Sequence, residues 1–227
     1  GFYRHVSSKR LPVVSDWRHR SVAIGDLDGD RDLDIVIGAE FANILFLNDG
    51  KGTFTDVSAT HLPPLLQETH DVALVDVDRD GDLDLVCANM LGQSRLNLND
   101  GLGRFTDVTA THLPPRIDPA TRIAAGDFDG DGAVDLILTT GTINLVAPDR
   151  YYRNDGRGRF ADATGLGMPS DSRFTRTLHL ADLDWDKDLD LLAVYGDHPV
   201  RLCLNDGRGR RSEERRVGKE GISRWAP

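Results

Sequence analysis

Four nonapeptides of one design recur along the chain: DLDGDRDLD at 26–34, DVDRDGDLD at 76–84, DFDGDGAVD at 127–135 and DLDWDKDLD at 182–190. Their first aspartates, Asp26, Asp76, Asp127 and Asp182, lie 50, 51 and 55 residues apart. A second signature, NDGxG, begins at Asn48, Asn99, Asn154 and Asn205, and each of the first three asparagines precedes the next loop by 28 residues. Such a period confines the chain to repeated supersecondary units that bury their apolar faces only against their neighbours. The third unit carries an insertion around TTGTINLVAPDRYY, which makes 139–153 the candidate contact surface of the repeat array.

Each unit reads as four short strands. SVAIGD, DVALVD, RIAAGD and TLHLAD precede the loops. Their small residues suit close packing near an axis, and His179 stands where the others have Ala. LDIVIG, LDLVCA, VDLILT and LDLLAV follow the loops as continuous apolar runs, the pattern of strands covered on both faces. A third strand ends at the Asn-Asp-Gly turn, where Asn and Gly tolerate positive φ, and a fourth opens on Phe54, Phe105 or Phe160. No helical periodicity competes. The expected fold is all-β, a partial β-propeller of four-stranded antiparallel blades over residues 1–210. The blades are expected near 18–63, 68–114, 120–165 and 175–210. Residues 1–12 align without gaps on 52–63 and 103–114, so they read as the end of a preceding blade, and any targeting segment would lie upstream.

The fourth unit breaks at Arg211, where Phe is expected. Residues 211–227, RSEERRVGKEGISRWAP, show no strand pattern and match translated read-through of a common sequencing adapter, with Gly221 in place of a cysteine. They are read as non-native, and no function is assigned to them, Trp225 included.

The aspartates explain the charge. The chain has 27 basic and 37 acidic residues, net −10, which disfavours nucleic acid or an anionic membrane as a partner. The four loops hold 19 acidic and 3 basic residues, so everything outside them is net +6. Carboxylates about 5 Å apart repel by about 3 kcal/mol at an effective dielectric near 20, a cost that a bound cation removes. Ca²⁺ takes six to eight oxygens at about 2.3–2.6 Å, more carboxylates than Mg²⁺ prefers. Loop positions 1, 3, 5 and 9 are aspartate throughout: Asp26, Asp28, Asp30, Asp34; Asp76, Asp78, Asp80, Asp84; Asp127, Asp129, Asp131, Asp135; and Asp182, Asp184, Asp186, Asp190. Position 7 (Asp32, Asp82, Ala133, Asp188) varies, as expected of a residue that offers its backbone carbonyl. About one Ca²⁺ per loop follows, four in all. An apolar residue at position 8, Leu33, Leu83, Val134 or Leu189, is expected to pin the loop to the core. An EF-hand is excluded because its bidentate Glu at position 12 is here Ile37, Cys87, Leu138 or Ala193.

The DxDxDGxxDL loop followed by the NDGxGxFxDV hairpin resembles FG-GAP/VCBS-type repeats, the calcium-binding blades of integrin-α-like β-propellers. The resemblance spans residues 1 to about 210 and implies one Ca²⁺ per loop, held by the aspartates named above. It implies a ring of roughly seven blades, so that the four loops and the leading piece make about half a ring with open blade edges. Gly at position 6 occurs only as Gly81 and Gly132, whereas Arg31 and Lys187 strain the turn, so sites one and four are expected to bind less tightly.

GxSxG, HExxH, P-loop, GxGxxG and CxxC motifs are all absent. His61 and His112 recur in THLPP segments, which marks them as structural, and Cys87 and Cys203 sit in apolar runs as small hydrophobes. The arginine clusters of RYYRNDGRGRF and around Arg173 and Arg176 read as a solvated face, with contact to an acidic glycan as the alternative. No apolar run is long enough for a membrane span. The reading is a secreted or cell-surface, non-catalytic binding or adhesion module whose partner is an extracellular protein or glycan. The alternative is a scaffold or accessory propeller of a secreted polysaccharide lyase or hydrolase.

Overall fold

The computed structural model describes residues 7–14, 18–64, 66–142, 147–167, 174–196, 198–205, 207 and 211–216. A one-turn helix, α1 (Ser7–Arg10), comes first, and four antiparallel sheets of four sequential strands follow. The first is β1 (His19–Gly25), β2 (Asp34–Ala39), β3 (Ile44–Asn48) and β4 (Phe54–Asp56). The second is β5 (Thr69–Val75), β6 (Asp84–Asn89), β7 (Arg95–Asn99) and β8 (Phe105–Asp107). The third is β9 (Ala120–Gly126), β10 (Asp135–Thr140), β11 (Arg150–Asn154) and β12 (Phe160–Asp162). The fourth is β13 (Thr175–Ala181), β14 (Asp190–Tyr195), β15 (Arg201–Asn205) and β16 (Arg211–Arg216). These are the four-stranded blades of a β-propeller, with the Asp loops joining first to second strands at one end.

The core lies between blades and not within any of them. Leu27, Val36 and Leu45 of the first blade bury against Val72, Leu85 and Cys87 of the second. The next interface joins Val86 and Leu96 to Leu136 and Tyr152, and the last joins Ile137 and Tyr151 to Leu191 and Cys203. Close approach needs the small residues that the sequence places on the first strands. A Cβ added at Gly25 would stand 2.6 Å from Leu83 Cδ1, and one at Gly126 would stand 2.6 Å from Leu189 Cδ1. The position-8 side chains of the second and fourth loops, Leu83 and Leu189, thus plug the preceding blade, whereas Leu33, with no described blade before it, is 59% exposed.

Two findings depart from the sequence reading. Each of the first three blades is followed by a helical turn, α2 (Ser58–His61), α3 (Thr109–His112) and α4 (Thr164–Gly167), too short to leave a periodic signal. The turns are built by the D-x-[ST] segment. Asp56 Oδ1 accepts from Ser58 N (3.0 Å) and Ser58 Oγ accepts from Leu45 N (2.9 Å), as Asp107 and Thr109 do on Leu96. α1 falls where the gapless alignment of residues 1–12 on 52–63 places a counterpart of α2. His61 and His112 sit in these turns, each Nδ1 2.8 Å from the preceding threonine hydroxyl.

The second departure is β16. Residues 211–216, expected to lack a strand, pair with β15, Asn205 opposite Arg211, and the ladder then slips between Leu204 and Asn205. The outer pairs of the other blades show no such slip. An open strand edge accepts any extended backbone, so this pairing does not depend on an apolar pattern. Residues 1–6, 143–146 in the insertion, Arg173 and 217–227 lie outside the described residues.

Candidate metal centres

The four Asp loops share one hydrogen-bond scheme. The position-1 carboxylate closes the turn on the amides of positions 4 and 6. Asp26 accepts from Gly29 N (2.9 Å) and Arg31 N (3.0 Å), and Asp76 from Arg79 N (2.7 Å) and Gly81 N (3.1 Å). Asp127 accepts from Gly130 N and Gly132 N (both 2.8 Å), and Asp182 from Trp185 N (2.7 Å) and Lys187 N (3.1 Å). Position 5 caps position 7: the Asp30, Asp80, Asp131 and Asp186 carboxylates accept from Asp32, Asp82, Ala133 and Asp188 N at 2.8–2.9 Å.

Position 9 is the deepest group. Asp34, Asp84, Asp135 and Asp190 are fully buried at the start of each second strand. One oxygen of Asp34, Asp84 and Asp190 accepts from the position-2 amide (Leu27, Val77, Leu183) and the other from the hairpin asparagine (Asn48, Asn99, Asn205), all at 2.8–3.0 Å. Asp135 accepts from Asn154 N and from the Tyr151 hydroxyl, both at 2.7 Å. Burial pushes Asp84 up to about 7 and Asp135 up to about 6, and Asp34 is raised for the same cause.

Carboxylate oxygens converge to within 4.8 Å of one another in every loop. The groups are Asp26, Asp28 and Asp34; Asp76, Asp78 and Asp84; Asp127, Asp129 and Asp131; and Asp182, Asp184 and Asp190. Positions 1 and 3 therefore meet throughout, with position 9 in three loops and position 5 in the third. Asp30, Asp80, Asp135 and Asp186 stand beside these groups and not in them. Position 3 is the member with least support. Asp28, Asp78, Asp129 and Asp184 are all raised, first by loss of water and further by the charge of the position-5 aspartate. Asp78 Oδ1 is buried with no hydrogen-bond partner. An all-oxygen donor set with a stranded anionic oxygen fits a hard cation such as Ca²⁺.

The position-7 side chains point elsewhere. A Cβ on Gly50 would lie 2.3 Å from Asp32 Oδ2, one on Gly101 2.5 Å from Asp82 Oδ2, and one on Gly207 2.5 Å from Asp188 Oδ2. These carboxylates lie against the NDG turns, consistent with only the carbonyl of position 7 facing a cation. Where Ala133 replaces the aspartate, the Arg79 side chain from the neighbouring loop lies beside Gly156 instead.

Two features escaped the sequence reading. Position 4, like position 6, is left-handed in every loop: Gly29 (φ 77°), Arg79 (65°), Gly130 (74°) and Trp185 (69°). Loops one and two thus each hold one non-glycine residue at positive φ, loop three none and loop four two, so strain does not single out loops one and four as position 6 alone implied. The signal was present as Gly29 and Gly130. The hairpin asparagine is also a rivet between blades. Asn99 Nδ2 donates to Leu27 O (2.9 Å), Asn154 Nδ2 to Val77 O (2.8 Å) and Asn205 Nδ2 to Phe128 O (2.7 Å), each in the loop of the preceding blade. No single-repeat pattern reveals a bond spanning over seventy residues.

Blades of this geometry, with an Asp loop at each first turn and an asparagine riveting each to the last, define a repeat class. Residues 26–87 and 76–138 match the family model of the FG-GAP-like repeat, and the chain belongs to the FG-GAP-like repeat proteins. It is 32% identical over 189 residues to cartilage acidic protein 1 of Xenopus tropicalis and 28% identical over 188 residues to that of Homo sapiens. Both alignments cover 78% of the chain, which spans under a third of the relatives, 29% and 28% of their lengths. A solved lectin of Agrocybe aegerita, described for recognition of non-reducing terminal N-acetylglucosamine, superposes with TM-score 0.55 at 19% identity. The match covers 85% of this chain and 50% of that one, and shows shared fold alone. No helix among the described residues is long and apolar enough to cross a membrane.

Proposed function

We propose that the chain is a non-catalytic, calcium-stabilised binding or adhesion module of an extracellular protein. One Ca²⁺ per loop is held by the aspartates at positions 1, 3, 5 and 9 and the carbonyl of position 7, and in the second loop it satisfies the Asp78 oxygen that has no other partner. The observation that carries this reading is the fourfold convergence of carboxylates at blade ends, with Asp78 Oδ1 buried and unpartnered. Relatives named cartilage acidic protein 1 support an extracellular setting, where calcium levels match sites with Kd on the order of 10⁻⁴–10⁻³ M. The partner is an extracellular protein or glycan.

Calcium at 100 times Kd adds about 2.7 kcal/mol per site, and each kcal/mol moves the midpoint of a chain this size by about 2–4 °C. Four sites predict a melting temperature higher by at least about 20 °C in excess calcium than in EDTA. Calorimetric titration is expected to find about four ions per chain. Superimposable melts in calcium and EDTA would refute the reading.

A further inference from the structure

On the face opposite the Asp loops, the second, third and fourth blades surround an open cavity of about 590 Å³. His70, Thr121, Arg122, Phe174, Thr175 and Arg176 are among the residues that line it. These residues come from the beginnings of the innermost strands, where each ladder skips one residue: Arg20, His70, Thr121 and Arg176. A bulge re-aims the side chain that it carries, and three of the four bulged residues line this one cavity.

The cavity is cationic in a protein of net charge −10. Arg18, Arg20, Arg95, Arg116, Arg150 and Arg153 each have a carboxylate partner. Arg122 and Arg176 have none among the described residues, and both side chains are exposed. Arg122 Nη1 donates to Thr121 O (2.8 Å), and the Arg176 guanidinium lies 6.0 Å from the centroid of Phe174. The nearby carboxylates are bonded to groups other than these two arginines. Glu68 holds His70 (2.9 Å) and Arg20 (3.1 Å), and Asp149 Oδ2 accepts from the Thr175 hydroxyl (2.6 Å). Gly196 makes room for the pair, since a Cβ there would stand 2.9 Å from Phe174 Cδ1 and 3.3 Å from Arg176 Nε.

We infer that this cavity binds an anionic sugar, a pyranose bearing a carboxylate or sulfate group. Arg122 and Arg176 hold the oxyanion through charge-assisted hydrogen bonds, and Phe174 offers an apolar surface to the C–H face of the ring. The volume suits one or two sugar rings. A dense polyanion would be repelled by the acidic loops, whereas one charge per ring matches two guanidinium groups. The inference rests on the binding-module reading and gives it a ligand class and a place.

The test is calorimetric titration of the protein in millimolar calcium with five probes: a uronate-containing oligosaccharide, a sulfated oligosaccharide, a neutral N-acetylglucosamine oligomer, a glutamate-rich peptide and inorganic sulfate. At least one anionic oligosaccharide is expected to bind, with the neutral oligomer, the peptide and free sulfate at least tenfold weaker. Arg122→Gln and Arg176→Gln, both at exposed positions, are each expected to weaken binding about tenfold or more. Gly196→Ala, which displaces Phe174 and Arg176 without changing charge, is expected to weaken it as well. Undiminished binding by the double arginine variant, no binding of either anionic oligosaccharide, or preference for the neutral oligomer, the peptide or free sulfate would each overturn the inference. Melts of the same samples in calcium and EDTA separate the two readings: a calcium shift without sugar binding sinks this inference alone.

Discussion

The third and fourth Asp loops share their ligand positions and differ in how the surrounding chain supports them. Loop three has glycine at both left-handed positions, Gly130 and Gly132, and its Phe128 is buried under the fourth blade, riveted by Asn205. Arg153 pairs with Asp129 and Asp131 (3.3 Å to the latter), and the Tyr151 hydroxyl reaches Asp135. Loop four forces Trp185 and Lys187 into the left-handed region, and its Leu183 and Trp185 are 46% and 90% exposed, with no described blade after it. One loop is held in shape by its own backbone chemistry, a neighbouring blade and an internal cation. The other has none of these supports, so a bound ion has most to contribute there.

The largest expected effect comes from removing the position-9 carboxylate. Asp135→Ala strands the Asn154 amide and the Tyr151 hydroxyl, and Asp190→Ala strands the Leu183 and Asn205 amides. Each orphaned buried donor costs about 1–3 kcal/mol, so each variant is expected to lose about 2–6 kcal/mol in urea unfolding. The loss should be greater at loop three, where the neighbouring blade keeps water out. A greater loss at loop four would break the comparison.

A pH series comes next. Asp84 and Asp135 are raised to about 7 and about 6, above the unfolded carboxylate value. The protonated form is favoured on folding, so this contribution to stability is complete below about pH 4 and is lost as pH rises through 6–7. Calcium reverses the sign, because the proton must leave before the ion binds. The difference between melting temperatures in calcium and in EDTA is therefore expected to grow from pH 5 to pH 8. Tyr151→Phe removes the donor that holds Asp135 down and should move the third loop's part of that window upward; an unmoved window would show that the hydroxyl does not set it.

The smallest effects are the sharpest test of backbone support. In EDTA, Trp185→Gly and Lys187→Gly should each stabilise by about 1 kcal/mol through relief of left-handed strain. Gly130→Ala and Gly132→Ala should each cost about 1–2 kcal/mol. Equal responses in the two loops would mean that strain is not what distinguishes them.

Much of this was legible in the chain itself. The aspartate spacing, the continuous apolar second strands and the NDG turns all report local rules, period, alternation and turn chemistry, and they lead to an all-β fold of four-stranded antiparallel blades. The helical turns at Ser58, Thr109 and Thr164 left no trace because four residues have no period to read. The edge strand at 211–216 was missed because edge pairing needs only an extended backbone.

By itself, then, the sequence determined which residues carry the charge, how often the unit repeats and where each blade turns, since all of these act over a few neighbouring residues. Only the tertiary structure decided which carboxylates meet, that Asn99, Asn154 and Asn205 tie one blade to the loop of the last, and that Arg122 and Arg176 share a cavity. The asparagine and arginine juxtapositions join residues over fifty positions apart and arise from the packing of one blade on the next, whereas the carboxylates meet within single nonapeptides through the path of the loop backbone.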